Sequence, residues 1–329
     1  MAQHETSRTR ALTVRHHGTT PVIEDLPLFA PKEGQILVRI AACGLNFADL
    51  LIVKGTYQEI PPLPVTLGME LAGRVEALGP GVEGLSVGQR VAVNPGHGGL
   101  AERGVFDAAA AVPIPDEMPF EVAAGFMVAY GTSHLALTRR ARLRAGERLV
   151  VLGAAGGVGL TAVEIGAALG AEVVAVARGA DKLAVAREAG AQRLIDSETT
   201  DLRAALKEMG GVDVVYDAVG GALSVAALRA CRPEGRVLVV GFAGGEVPPI
   251  AANHLLVKNV DVIGFYWGGY RHFAPRILSD DLTELFQLFR DGRLSPHIGR
   301  TFPLSRAAEA LAYLESRKST GKIVVTMDG

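Results

Sequence analysis

Apolar and polar positions follow two rhythms along the chain, and the change of rhythm divides it. Over the first part, to about residue 120, apolar runs are short and are broken by glycine and proline. ILVRIAACG (36–44), MELAGRVEALG (69–79) and RVAV (90–93) predict strands, and PKEG, PPLP, GPGVEG and PGHGG lie between them as turns. Short strands joined in this way specify a small β-barrel or sandwich. The middle of the chain reads differently. RLVVLGA (148–154) is apolar without alternation, as a strand covered on both faces must be. A helix follows to Leu169 and stops at Gly170. Strands at 171–177, 193–196, 212–220, 235–241 and 260–265 then alternate with helices at 181–189, 201–209 and 222–230. Gly190 and Gly210 stand just past two of those helices, where a left-handed residue closes the last turn. This alternation predicts an α/β unit with a doubly wound parallel sheet and right-handed crossovers. The tail adds helices at 279–291 and 305–317 and a strand, GKIVVTM (321–327), outside the repeat and placed to return to the first domain.

Length and composition narrow the class. A chain of 329 residues exceeds one ordinary core and suits two domains. With 33 basic and 35 acidic side chains the formal charge is −2, which gives no electrostatic case for nucleic acid. The opening MAQHETSRTR is polar, without the apolar stretch of a signal peptide, and no apolar run approaches a membrane span. The expectation is a cytoplasmic protein. Two cysteines far apart, Cys43 and Cys231, read as reduced thiols and are too few for a four-cysteine zinc site.

The chemistry centres on GAAGGVG at 153–159, between an apolar strand and a helix. Ala154, Gly156 and Gly159 occupy the three small positions of a dinucleotide fingerprint. These serve a tight turn, a bare backbone at the pyrophosphate and a close helix–strand contact. Ala155, Gly156, Gly157 and Val158 are candidate phosphate contacts, helped by the positive end of the following helix. An NAD site carries Asp or Glu at the end of the second strand. Here that strand runs into Arg178, with Lys182 close behind and Asp181 three residues late. Arg178 suits a 2′-phosphate through paired N–H groups, which favours NADPH; the alternative is two solvated surface cations.

ACGLNFADLLIVKGTY (42–57), PVTLGMELAGRVEALGPGV (64–82), GQRVAV (88–93), AYGTSHLAL (129–137) and VVLGAAGGVGLTAVEIGAALGA (150–171) together resemble the zinc-free quinone oxidoreductases of the medium-chain dehydrogenase/reductase superfamily. DVVYDAVGG (213–221), GRVLVVGFAGG (235–245) and STGKIVV (319–325) continue the match nearly to the end. The resemblance implies a GroES-like β-rich domain over 1–121 and 294–329, a Rossmann domain over 122–293, and NADPH in the cleft between them. Where zinc-dependent relatives place their catalytic ligands, this chain has Asn46, Met69 and, less securely aligned, Ala124, which do not form a zinc ligand set. An alcohol, with a pKa of about 16, needs a metal to lose its proton near neutral pH. A quinone, or an alkene conjugated to a carbonyl, accepts hydride without one.

The same resemblance singles out further residues. Asn46 either donates its amide N–H to cofactor or substrate or caps a helix. Tyr57 either steadies an oxyanion or passes a proton, or packs a turn with Pro61 and Pro62. Thr132 stands near the nicotinamide ribose or starts a helix; Gly241, Phe242 and Ala243 close a strand at its ligand-facing end. Phe265, Tyr266 and Trp267 wall the nicotinamide pocket or pack a dimer contact, and Phe265 and Trp267 are the cofactor candidates among them. Lys322 reaches the cofactor or is an exposed strand lysine. Asp217 and Cys43 read as structural, and His97, His134, His254 and His272, without ligand spacing between them, as structural or surface residues. The expected activity is NADPH-dependent quinone reduction in a homodimer, with an enone or acrylate-type alkene as the alternative acceptor. A non-catalytic NADPH- or RNA-binding protein is the alternative of another class.

Overall fold

The computed structural model describes residues 5–327; the polar opening read for targeting lies partly outside them. Two compact units emerge, one of residues 1–128 with 297–329 and one of 129–296. The expected boundaries, 121/122 and 293/294, fall short of these. The short helix Phe120–Ala124 belongs to the first unit because it lies against the strand Gln35–Gly44, where a Cβ on Gly44 would sit 2.3 Å from the Ala124 carbonyl oxygen.

The first unit is β-rich, as its turn-broken pattern predicts. Its larger sheet runs, in spatial order, Ile298–Pro303, Lys322–Thr326, Gln35–Gly44, Glu70–Leu78, Arg90–Val93 and Ala111–Pro113, with Arg103–Asp107 also pairing Gln35–Gly44. A second sheet holds Val22–Phe29, Glu5–Val14 and Val65–Thr66. Ile36, Val38 and Ile40 alternate inward from one strand to meet Leu71, Val75 and Val91. The last strand does return to this unit. It pairs antiparallel with the third, Val324 opposite Gly44 and Val325 opposite Cys43.

The second unit is a six-stranded parallel sheet in the order Arg193–Asp196, Glu172–Ala177, Arg148–Leu152, Val212–Asp217, Cys231–Val239, Asp261–Gly264. Numbered along the chain this is 3-2-1-4-5-6, the doubly wound dinucleotide-binding order. The central strands are buried along nearly their whole length, which explains their unbroken apolar runs. The helix Pro275–Arg290 starts four residues before its predicted beginning, with proline in its first turn, and buries Leu278, Leu282, Leu285 and Phe286 on one face.

Candidate functional site

In the second unit the strand Arg148–Leu152 ends in a loop that the backbone alone holds in place. Gly153 has φ +71°, and the N–H groups of Gly153 and Ala154 both donate to the Val176 carbonyl, at 3.0 and 3.1 Å. The helix Gly157–Ala168 begins at Gly156 without a side-chain cap, so its first-turn N–H groups face an acceptor from outside the helix. Two glycines here do different work. A Cβ on Gly159 would sit 2.1 Å from the Gly153 carbonyl oxygen, so this glycine lets helix and strand approach. A Cβ on Gly156 would meet nothing closer than that same oxygen at 3.4 Å, so bareness at Gly156 leaves space open rather than relieving a clash. A pyrophosphate fits such a cradle: open space, first-turn N–H groups without an intrahelical acceptor and the positive end of a twelve-residue helix.

Ser133, Thr161 and Tyr216 support the loop from below. Ser133 Oγ lies 2.9 Å from the Val158 carbonyl oxygen, 2.8 Å from Thr161 Oγ1 and 3.0 Å from Tyr216 Oη. Sequence reasoning misses this trio, because hydroxyl residues from three separate elements leave no spacing to read. Thr132, beside Ser133, is buried in the helix Met127–Leu135.

At the end of the second strand, Arg178 is exposed and Lys182 is half-buried one helical turn on. Burial pushes the Lys182 ammonium below its usual range, and the nearby Arg178 charge pushes it further. The Lys182 ammonium thus lies within electrostatic reach of the Arg178 guanidinium, with the Glu198 carboxylate partly offsetting that charge. Gly179 between them has φ +76°, and its N–H is held by Asp196 at 3.2 Å.

The carboxyl ends of the fourth and fifth strands are joined by hydrogen bonds. Asp217 is fully buried and its Oδ1 accepts from the N–H groups of Val219 and Gly220, at 2.9 and 2.8 Å. Its carbonyl accepts from Gly241 at 3.2 Å, and Ala243 donates to the Ala218 carbonyl at 3.0 Å. Asp217 thus fixes the strand end where Gly241, Phe242 and Ala243 lie, through its Oδ1 and its carbonyl. The Phe242 side chain remains exposed. Phe265 and Trp267 are buried. Phe265 stacks at 5.9 Å on Tyr270, and the Trp267 indole covers Gly131, where a Cβ would sit 2.7 Å from Nε1.

In the first unit, Asn46 is the N-cap residue of the helix Phe47–Lys54. Its side chain lies in a buried polar cluster drawn from four distant segments. Lys322 donates all three ammonium hydrogens, to the Leu45 carbonyl at 2.7 Å, Asn46 Oδ1 at 2.8 Å and Glu70 Oε1 at 2.8 Å. Asn46 Nδ2 donates to Glu70 Oε1 at 2.9 Å and, weakly, to the Gly44 carbonyl at 3.4 Å. Glu70 Oε2 accepts the Val128 N–H at 3.0 Å. Behind these, Asp49 takes the N–H groups of Asn46 at 2.8 Å and Gly68 at 3.1 Å. Burial pushes the Asp49 carboxyl up to about 6, against those two hydrogen bonds and the Lys322 charge. The exposed-lysine alternative for Lys322 is therefore overturned. Nor does the ammonium offer a spare hydrogen to a cofactor, since all three are engaged. Met69 and Ala124 are apolar core residues here, and among the described residues no group of three or more His, Cys, Asp or Glu side chains forms a metal site. Tyr57 is half-buried against the hydrophobic core of this unit. Cys43 is fully buried, its thiol pushed well up by burial.

A β-rich unit and a 3-2-1-4-5-6 nucleotide fold in one chain define the two-domain plan of medium-chain dehydrogenases. Two family models match it: the alcohol dehydrogenase GroES-like domain over residues 32–116 and the zinc-binding dehydrogenase model over residues 157–288. The chain is 38% identical over 310 residues to quinone oxidoreductase-like protein 2 of Bos taurus, covering 93% of this chain and 89% of that relative. It is also similar to the NADPH-complexed quinone oxidoreductase of Escherichia coli (TM-score 0.88, 30% identity, 97% and 99% of the two chains). The quinone oxidoreductase of Thermus thermophilus, studied alone and with NADPH, gives a TM-score of 0.84 at 33% identity over 96% and 99%. The chain belongs to the zinc-free quinone oxidoreductase type of the medium-chain dehydrogenase/reductase superfamily. It is an oxidoreductase of that family. No helix among the described residues is long and apolar enough to cross a membrane.

Proposed function

We propose that this chain is an NADPH-dependent reductase that passes hydride to a quinone, with a conjugated enone or acrylate-type alkene as the second acceptor class. The observation that carries the reading is the bare, uncapped loop at 153–159 together with the cation pair Arg178 and Lys182 where an NAD site places an acid. NADPH complexes of similar proteins support it. When bound, NADPH supplies the hydride. The N–H groups of Ala155, Gly157 and Val158 hold its pyrophosphate over the open space at Gly156, whose own N–H is held by the Gly153 carbonyl, and Arg178 and Lys182 hold its 2′-phosphate. Thr132, the segment Gly241–Ala243 and the aromatic residues Phe265 and Trp267 line the nicotinamide end. Asn46, through its second amide hydrogen, and Tyr57, through its hydroxyl, donate to the acceptor oxygen as charge develops there. Hydride transfer to an already electron-poor carbon needs no alkoxide, so amide and phenol donors suffice.

We also propose a homodimer. The strand Asp261–Gly264 ends the sheet, and the neighbouring helix Ala252–Lys258 leaves Leu256 and Val257 exposed. Sedimentation at a monomer mass would refute it. The compartment we propose is the cytoplasm, in keeping with two unbridged thiols.

The test is consumption of NADPH and, in parallel, NADH with 1,4-benzoquinone and with a small enone, EDTA present, followed by product identification. Turnover that survives EDTA and favours NADPH supports the reading, and the preferred acceptor chooses between the two classes. Tight NADPH binding without turnover of either acceptor contradicts it and favours a non-catalytic binding protein. Tight, salt-sensitive retention of labelled RNA would favour the RNA-binding form of that alternative.

A further inference from the structure

We infer that Lys322 and Glu70 are positioning residues that lock the amide of Asn46 in one orientation; this rests on the reading of Asn46 as a donor to the acceptor. The strand register carries Lys322 to this place. Val324 pairs with Gly44 and Val325 with Cys43, antiparallel, so each step back along the last strand is a step forward along the other. The Leu45 N–H bond to the Ile323 carbonyl, at 2.9 Å, continues the register past the paired strand. Lys322 then falls opposite Asn46. A glycine makes room for its stem, since a Cβ on Gly125 would sit 3.2 Å from Lys322 Cε.

The cluster is closed by charge and by hydrogen-bond count. The Lys322 and Glu70 side chains are 7% and 1% exposed, a depth at which an ion pair persists only when its other bonds are also made. Both carboxylate oxygens and all three ammonium hydrogens are engaged, so neither group can turn. An amide has one acceptor end and one donor end. The ammonium claims Oδ1, and the carboxylate claims one hydrogen of Nδ2. One orientation remains, and in it the second hydrogen is held only by the weak 3.4 Å contact to the Gly44 carbonyl, which an acceptor oxygen replaces. The buried pair thereby prepays the reorientation that a free asparagine would undergo as charge builds on the acceptor.

A double-mutant cycle on the full-length protein tests this. Asn46→Ala, Lys322→Met and the double variant are compared by kcat/KM for 1,4-benzoquinone, by the dissociation constant of NADPH and by melting temperature. Each single change is expected to lower kcat/KM about 100-fold, the size of a lost preorganised donor, with NADPH affinity held within about threefold. The double variant is expected to fall within about threefold of Asn46→Ala, because Lys322 acts through Asn46. Losses that multiply overturn the inference and leave the function standing. Asn46→Ala turning over at the wild-type rate overturns the role of Asn46, and the inference with it. Should Lys322→Met fail to fold, Glu70→Gln takes its place in the same cycle. It keeps the shape, removes the charge, and is expected to show the same non-additivity.

Discussion

The phosphate loop of the second unit and the Asn46 cluster of the first are both built to hold polar groups, and they are made in opposite ways. The loop is contiguous, seven residues from 153 to 159, and its working groups are main-chain N–H bonds placed by glycine. The cluster draws on residues 44–49, 68–70, 128 and 322, and its working groups are side chains that neutralise one another. A backbone site tolerates any side chain that stays out of the way and fails at the first Cβ that does not. A side-chain site depends on partners brought together by strand register, and fails when one partner is left buried alone.

The largest break is expected at Gly159. Gly159→Ala drives a Cβ to within 2.1 Å of a backbone oxygen that has nowhere to move. The unit is expected to lose at least about 3 kcal/mol in denaturant unfolding and to bind NADPH too weakly to saturate. Next comes a buried pair that the chemistry does not use. His134 Nδ1 lies 2.6 Å from Asp281 Oδ1, with both side chains nearly inaccessible. His134→Ala strands that carboxyl, already pushed up by burial, and is expected to cost about 3 kcal/mol in the same assay without changing KM for the acceptor. A shift in KM would blur the distinction between polar burial in general and the Asn46 cluster.

Asp49 sharpens the comparison through pH. Its carboxyl titrates at about 6 in the fold, against an ordinary value of 3.8. Between these values the folded protein keeps a proton that the unfolded chain has released, so rising pH favours unfolding. The stability gap between wild type and Asp49→Asn should therefore narrow from about pH 4 to about pH 6, by at most about 1.4 kcal/mol per unit, and stay level above about pH 7. Denaturant unfolding across that range reads it directly; a gap that widens would refute burial as the dominant influence. The smallest effect on stability is expected at Gly156. Gly156→Ala meets no clash, so its melting temperature should match the wild type while NADPH affinity falls about tenfold by intrusion into the open space, or about 1.4 kcal/mol.

The same contrast explains what can be read from the sequence. The strand–helix alternation of the second unit follows from apolar runs and helix-stopping glycines, and the loop from the local spacing of small residues, because every cause lies within a few residues of its effect. The strand Glu5–Val14 is not legible because its first half, ETSRTR, is polar. The role of Lys322 is hidden for another reason. On a short strand a lysine reads as solvent-facing, and only the pairing of 324 with 44 turns it into a buried ligand of Asn46. Glu70 carries no signal beyond its place after Met69. The histidine at 134 finds its carboxylate 147 positions away, on a helix whose amphipathic face predicts burial but not a partner.

Direct titration of NADPH and NADH into the wild type and into a protein carrying Arg178→Ala and Lys182→Ala tests the central claim most directly. The account predicts that the wild type binds NADPH at least about tenfold tighter than NADH, the size of one or two charge-assisted hydrogen bonds, and that the double change removes the preference while leaving NADH affinity in place. Equal affinity for the two nucleotides in the wild type, or a preference for NADH, would contradict it.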